Sequence, residues 1–122
     1  MFLGTINRLL KKGVYFFKQK LWYLLNKPFF KHLGKGSFID TPLKITKKYI
    51  QCEKKVYIWR FCRIEGVSQY NKKEYSPKII FEEGVTIQQF LHLTCANQIK
   101  IGKNTAIAAF VTITDIHHPY EN

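Results

Sequence analysis

The chain has 122 residues and a formal net charge of +12, from 20 Lys and Arg against 8 Asp and Glu. Its hydrophobic content of 46% and aromatic content of 16% exclude an intrinsically disordered chain, and its length suits a single domain. The excess of positive charge predicts an anionic partner: a nucleic acid, an acidic membrane surface or a phosphorylated substrate.

The first part of the chain, residues 1–36, is predicted to form a basic amphipathic helix and a linker. Over residues 2–26 apolar side chains recur every three or four positions, which places them in one stripe along a helix. Pro28 ends the helix because it has no backbone N–H to donate, and no Asp or Glu precedes Asp40. The stripe consists of Leu3, Ile6, Leu10, Val14, Phe17, Leu21 and Leu24.

This helix can be interpreted in two ways, which are compatible. A basic amphipathic helix with aromatic residues, here Trp22 and Tyr23, is typical of segments that lie in a membrane interface. We therefore expect peripheral contact with an anionic membrane through residues 2–26. The other interpretation is that the apolar stripe packs on the same domain or on a neighbouring subunit.

The predicted location is the cytoplasm, with peripheral association at the inner face of the membrane. Lysines within the helix interrupt its apolar residues, which excludes a secretory signal peptide and a membrane-spanning helix. The three cysteines lack CxxC spacing, so they predict neither a disulfide framework nor a zinc knuckle. Cys52, Cys62 and Cys95 are expected to be small hydrophobic residues in strands.

From Phe38 onward the helical period disappears, and a period of six residues takes its place within a predicted domain of residues 37–122. A strand of about four residues and a corner of about two make one flat side of a triangular coil. The residue that opens each hexad points inward and stacks on its equivalent in the next coil. The alternative is an ordinary antiparallel sandwich. The hexads open at Cys52, Ile58 and Ile64, at Phe81, Ile87 and Leu93, and at Ile101, Ile107 and Ile113.

The hexads resemble the left-handed parallel β-helix of the hexapeptide-repeat acyltransferases. The stretch IGKNTAIAAFVTITDIHHPYEN is similar to the segment with the catalytic histidine in maltose and galactoside acetyltransferases, and to sugar O-acetyltransferases of lipopolysaccharide and capsule biosynthesis. The resemblance implies an all-β fold, a left-handed parallel β-helix preceded by an N-terminal amphipathic α-helix. It further implies a homotrimer that transfers an acetyl group from acetyl-CoA to a hydroxyl of a saccharide acceptor.

The same resemblance implies that His118, directly before Pro119, is the general base that removes the proton from the sugar hydroxyl. Neutral imidazole suits this role because its unperturbed pKa is about 6.5. His117 is the competing candidate. Adjacent residues in an extended chain face opposite ways, so we expect His118 to be the base and His117 to contact the substrate near the corner.

Three further polar residues are candidates for substrate binding. Asp115 could orient the imidazole or bind a sugar hydroxyl, and it could equally cap a turn. Gln88 and His92 are predicted to lie on the coil below and to line the acceptor cleft. The resemblance assigns no residue of this chain to the binding of acetyl-CoA.

The sequence departs from the family pattern at two corners and at its end. Phe90 and Phe110 stand where the family usually has Asn, which tolerates the left-handed backbone of a corner better than a bulky residue does. We therefore expect distorted corners, or rings that pack on a partner. Relatives also continue past the histidine with further coils, so the chain is expected to be a fragment, a truncated product or a protein whose last coil a partner covers.

Other functions stay open on the sequence alone. A truncated, non-catalytic β-helix could associate with a membrane or a partner. A zinc hydratase on the same fold needs three convergent histidines, but two of the three candidates, His92, His117 and His118, are adjacent, so no metal is predicted. Nucleic-acid binding would use the charge, but no nucleic-acid motif accompanies it, and we expect no nucleic-acid partner.

Overall fold

The N-terminal helix has the bounds that its apolar period predicts. The computed structural model describes residues 2–116, with side chains from Gly4 onward. Helix α1 is Phe2–Asn26, and a single 3-10 turn, Lys27–Phe29, follows it at Pro28. Within the described residues, no helix is both long and apolar enough to cross a bilayer.

The described chain after α1 consists mainly of short parallel strands in three four-stranded sheets, which the chain visits in turn. We call one passage through the first, second and third sheets a rung. The four rungs are β1–β3, β4–β6, β9–β11 and β12–β14. The strands are β1 His32–Leu33, β2 Phe38–Ile39, β3 Lys44–Ile45, β4 Ile50–Cys52, β5 Tyr57–Ile58, β6 Arg63–Gly66, β7 Gln69–Tyr70, β8 Lys73–Glu74, β9 Lys78–Phe81, β10 Thr86–Ile87, β11 His92–Cys95, β12 Gln98–Ile101, β13 Ala106–Ile107 and β14 Thr112–Thr114.

The residues that open the predicted hexads stack in three columns between the sheets. Ile58, Ile87 and Ile107, for example, are register partners on three successive parallel strands. The six-residue period thus predicted the parallel stacking correctly, and the antiparallel sandwich is wrong. In full, the columns are Leu33, Cys52, Phe81 and Ile101; Ile39, Ile58, Ile87 and Ile107; and Ile45, Ile64, Leu93 and Ile113.

The stack begins earlier than the sequence analysis placed it. Leu33, Ile39 and Ile45 are six residues apart and form a first rung, so the first strand precedes the boundary expected at residue 37. The arrangement is consistent with a β-helix-like solenoid. The description all-β is only approximate, because α1 contributes 25 residues.

Burial follows the columns and weakens at the last rung. Ile58, Leu93 and Phe81 are fully buried, whereas Ile107 and Ile113 are partly buried. The reason is that β12, β13 and β14 each form an outer edge of a sheet, with a neighbouring strand on one side only among the described residues. Each fully buried aliphatic side chain contributes about 1.5–3 kcal/mol, so the middle rungs supply most of the hydrophobic stabilisation.

Helix α1 is attached by side chains outside its apolar stripe. The Trp22 ring packs edge-on against Phe38 and Phe30, with centroids 5.3 and 5.9 Å away, and Tyr23 also packs against the core. These two aromatic residues therefore belong to the helix–sheet contact, and Tyr23 also lines a groove beside α1. The interpretation that the stripe packs on its own domain is wrong, since all the stripe side chains that the structure describes are exposed.

Candidate functional site

In the last three rungs, the corner between the second and third sheets holds a phenylalanine in the left-handed backbone conformation, with φ of +63° at Phe61, +63° at Phe90 and +62° at Phe110. The corners between the first and second sheets use the same conformation. There Gly84 has φ +76°, which favours glycine, and a Cβ on it would press against the amide of Asn104, which would have to move. The residues of those first corners are Gly36, Lys55, Gly84 and Asn104.

The three phenylalanines form a continuous ladder along the second corner. The Phe61 and Phe90 centroids are 5.7 Å apart, and the Phe90 and Phe110 rings stack at 5.0 Å with only 7° between their planes. The rings therefore pack on one another, which the sequence analysis did not foresee. The sequence contains a pattern that predicts this stacking, because each phenylalanine lies three residues after an isoleucine that opens a hexad.

Gln88 lies beside this phenylalanine ladder, in an open groove of about 340 Å³. Its side chain is exposed, and the Trp59 ring, with the Arg60 guanidinium 5.5 Å from its centroid, lines the same groove. Amide groups and aromatic faces can together bind sugar hydroxyls and the apolar face of a sugar ring. Gln88 is thus on an open surface groove, and its role in acceptor binding stays a prediction.

Asp115 makes the contacts of a turn cap. It follows β14, and its carboxylate reaches the corner of the rung below, where the backbone N–H groups of Ala96, Asn97 and Gln98 donate to it at 2.6, 2.9 and 2.9 Å. Ala96 binds Oδ1 and the other two bind Oδ2. A carboxylate offers about four acceptor positions, so Oδ1 keeps one for a further donor.

A cleft of about 330 Å³ lies against this cap. Its other wall is the β7–β8 hairpin, which is inserted between β6 of the second rung and β9 of the third. The hairpin turns at Asn71 and Lys72, which have φ of +49° and +65°, as a tight two-residue hairpin turn requires. The cleft is thereby surrounded by phenol, amide, ammonium and carboxylate groups. The residues that line it are Tyr70, Asn71, Lys73, Tyr75, Ala96, Asn97, Asp115 and Ile116.

The structure does not bring the described site residues into one pocket. Gln88 lies at the second corner and Asp115 at the third, at opposite ends of the strands of the third sheet. His92 is exposed in β11 between its register partners Arg63 and Thr112, and roughly 10 Å of strand separates its level from that of Asp115. The predicted base His118 and its neighbour His117 lie outside the described residues.

The cysteines are not candidate nucleophiles. All three are free and buried. Cys52 and Cys95 lie in strands as predicted, whereas Cys62 lies directly before β6. Burial raises the pKa of Cys52 and of Cys62. Burial, assisted by the nearby Asp115 carboxylate, raises the pKa of Cys95 to about 11. Thiols of this kind stay protonated at neutral pH and react poorly. Within residues 2–116, no three His, Cys, Asp or Glu side chains are grouped so as to hold a metal ion.

No protein-family model, no curated protein and no solved structure matches this chain. The features of the chain that bear on function are the two clefts at the corners of the third sheet and the two histidines that follow Ile116 in the sequence.

Proposed function

We propose that the chain is an acetyl-CoA-dependent sugar O-acetyltransferase built on a left-handed parallel β-helix. The observation that carries the proposal is the polar cleft between the hairpin and the Asp115 cap. Ile116 lines that cleft and precedes His117 and His118 directly in the sequence. A general base that follows a cleft with hydroxyl, amide and carboxylate groups is suited to act on a polyhydroxylated substrate.

The proposed chemistry needs one proton transfer and one acyl transfer. His118 takes the proton from a sugar hydroxyl, and the oxygen attacks the carbonyl carbon of the acetyl thioester as that proton leaves. The carbon–sulfur bond then breaks, and the proton passes from the imidazolium to the departing thiolate. The products are the sugar acetate and free CoA, with no covalent enzyme intermediate and no metal.

The third-corner cleft is the proposed acceptor site. Tyr70, Asn71 and Tyr75 supply groups that exchange hydrogen bonds with sugar hydroxyls. Asp115 retains one acceptor position on Oδ1, so it can bind a hydroxyl while it continues to cap the corner. Lys73 adds a positive charge to the cleft, which favours an acidic sugar or a phosphate-linked saccharide.

Gln88 and His92 fit this proposal through a neighbouring subunit. They lie too far along the third sheet to share the cleft of their own chain. In the proposed homotrimer, the second-corner groove of one subunit faces the third-corner cleft of the next. Gln88, His92 and the Trp59 ring would then contact the part of the saccharide that extends beyond the reacting sugar.

The decisive experiment is an acetyl-transfer assay with a panel of saccharide acceptors. We expect His118→Ala to lower the rate by about 10²–10⁴-fold, the usual contribution of a general base. The matched control is His32→Ala, which removes an exposed histidine of β1 and is expected to leave the rate unchanged. His117→Ala should weaken acceptor binding and retain turnover. Undiminished transfer by His118→Ala would remove that residue from the mechanism.

A second candidate function is a non-catalytic β-helix that associates with a membrane or a partner. The exposed apolar stripe of α1 favours it. A wild-type chain that binds such a partner, and transfers no acetyl group to any acceptor under conditions where a known acetyltransferase is active, would support this function over the enzyme.

A further inference from the structure

Helix α1 is attached to the rungs along one side, which leaves its apolar stripe exposed on the other. On the attached side, the Tyr15 hydroxyl hydrogen-bonds to the Tyr57 hydroxyl, and the Lys47 ammonium donates to Oδ1 of Asn26 at 2.7 Å. On the stripe, Val14 and Phe17 are 68% and 67% exposed. A helix held along one side in this manner presents its opposite side as a continuous apolar surface.

A groove of about 530 Å³ runs between α1 and the first corners of the first two rungs. Phe16 and Leu24 form part of its apolar wall on the helix. Four ammonium groups surround it, those of Lys20, Lys35, Lys54 and Lys55. Among the described residues, no carboxylate lines the groove.

The four groove lysines form no ion pair with a carboxylate of the residues that the structure describes. Within residues 2–116, the ion pairs are made by Glu65 and Glu82, and neither involves these lysines. Glu53, next to Lys54 in the sequence, instead accepts a hydrogen bond from the backbone N–H of Glu83. Ammonium groups collected around one groove repel one another, so an anion that enters the groove lowers the electrostatic energy.

The groove and the apolar stripe share an edge of the helix. Phe16, Lys20 and Leu24 are four residues apart and form one row along α1, and Leu24 belongs to both the stripe and the groove wall. An amphiphile with an apolar part and an anionic head could therefore contact the two surfaces at once. This is the arrangement that an interfacial helix offers to phospholipid.

We propose that this composite surface binds a bilayer that contains anionic phospholipid, with the stripe among the upper acyl chains and a lipid phosphate in the lysine groove. Charge complementarity selects this occupant over a second copy of the chain. Residues 1–36 contain eight Lys or Arg and no Asp or Glu, so two such helices would bring like charges together, whereas an anionic headgroup neutralises them. The proposal does not depend on acetyl transfer.

The test is flotation of the full chain with vesicles of phosphatidylglycerol and phosphatidylcholine, and with vesicles of phosphatidylcholine alone. The groove variant combines Lys35→Gln, Lys54→Gln and Lys55→Asn, because Asn suits the φ of +57° at Lys55. We expect the wild type to float with the anionic vesicles, and the groove variant to partition about 100-fold more weakly.

A charge-matched control separates the groove from net charge. It combines Lys72→Asn, Lys78→Gln and Lys103→Gln, which removes three exposed charges elsewhere, one of them also at a left-handed residue. This control should bind nearly as well as the wild type. A stripe variant, Phe17→Ser with Leu21→Ser, should lose flotation while its circular dichroism stays that of the wild type.

Two results would overturn the proposal. One is absence of flotation by the wild type, and the other is an equal loss in the groove variant and the charge-matched control. In a wild type that does not float, self-association that the stripe variant abolishes would assign the stripe to a second copy of the chain, and tight, salt-sensitive binding to DNA would assign the charge to nucleic acid. None of these results depends on whether the chain transfers acetyl groups.

Discussion

The Phe90 ring stacks on the Phe110 ring with 5.0 Å between centroids and 7° between planes, while Phe61 packs on the other side of Phe90 at 5.7 Å. All three residues have positive φ, which costs a bulky side chain about 1–2 kcal/mol. An aromatic pair returns about 0.5–1.5 kcal/mol beyond its buried area. Contacts between successive rungs thus offset an unfavourable backbone in each rung.

Phe90 and Phe110 should respond differently to replacement by Asn, which tolerates the left-handed backbone. Phe90→Asn loses two ring contacts, and we expect it to lower the free energy of unfolding by about 1 kcal/mol. Phe110→Asn loses one, and relief of the backbone offsets that loss to within about 0.5 kcal/mol. Urea unfolding of the two variants measures the difference. Equal changes in the free energy of unfolding would show that ring stacking between rungs adds nothing to stability.

Asp115→Asn should destabilise the third corner. The carboxylate accepts three backbone N–H groups, and an amide would turn an NH₂ group toward some of those donors. We expect a loss of about 2 kcal/mol in the free energy of unfolding. Asp40→Asn is the matched control, because Asp40 accepts a single backbone N–H, from Thr41 at 2.8 Å. A loss no larger than that of the control would contradict the capping role.

Trp22→Ala should loosen α1 from the rungs. Its ring contacts with Phe30 and Phe38 are lost, and since Trp22 is only partly buried we expect about 2 kcal/mol, less than for a fully buried aromatic residue. Phe17→Ala removes an exposed ring of the same helix and should change stability by less than about 0.5 kcal/mol. Limited proteolysis of α1, with urea unfolding, compares the two variants. Equal protease resistance would mean that Trp22 does not hold the helix.

Glu65 should make stability depend on pH in the acid range. The hydrogen bond from the Lys44 ammonium, helped by Arg63, lowers the pKa of Glu65 below its ordinary value of 4.5. A carboxyl whose pKa is lowered by folding stabilises the protein fully above its unfolded pKa, and that contribution disappears as the pH falls through the folded pKa.

The measurement is unfolding of the wild type and Glu65→Gln between pH 7 and pH 3. Because the Lys44 and Arg63 side chains are partly exposed, we expect less than about 1 kcal/mol of difference at neutral pH, and convergence of the two proteins below pH 4.5. If the difference in unfolding free energy between the two proteins grows as the pH falls, folding does not lower the pKa of Glu65.

The stacked sheets could be predicted because the six-residue period is a direct record of which side chains point inward. Ile58, Ile87 and Ile107 each open the second hexad of their set in the sequence, and in the structure they are register partners on neighbouring strands. The first rung was missed because Leu33 follows closely on the helix and precedes two glycines, which read as a linker. Its strands are only two residues long, and so short a run carries little periodic signal.

The site was less predictable, because its walls come from distant parts of the chain. Tyr70 belongs to the hairpin that follows β6, and Asp115 follows β14 at the same corner of a later rung. The two residues line one cleft because the rungs stack on one another. The sequence around either residue does not predict that the two side chains lie close together. The roles of His117 and His118, outside the described residues, remain predictions from the resemblance.

Sequence alone determined the bounds of α1, its apolar stripe, the inward-facing columns and the burial of the cysteines, since each follows from local periodicity or from residue type. Tertiary structure decided which side of α1 is attached, that Asp115 caps the neighbouring rung, and that three phenylalanines stack across the second corner. Those outcomes depend on the offset between successive rungs. That offset is set by hydrogen-bond register between strands far apart in the chain, which no short window of sequence contains.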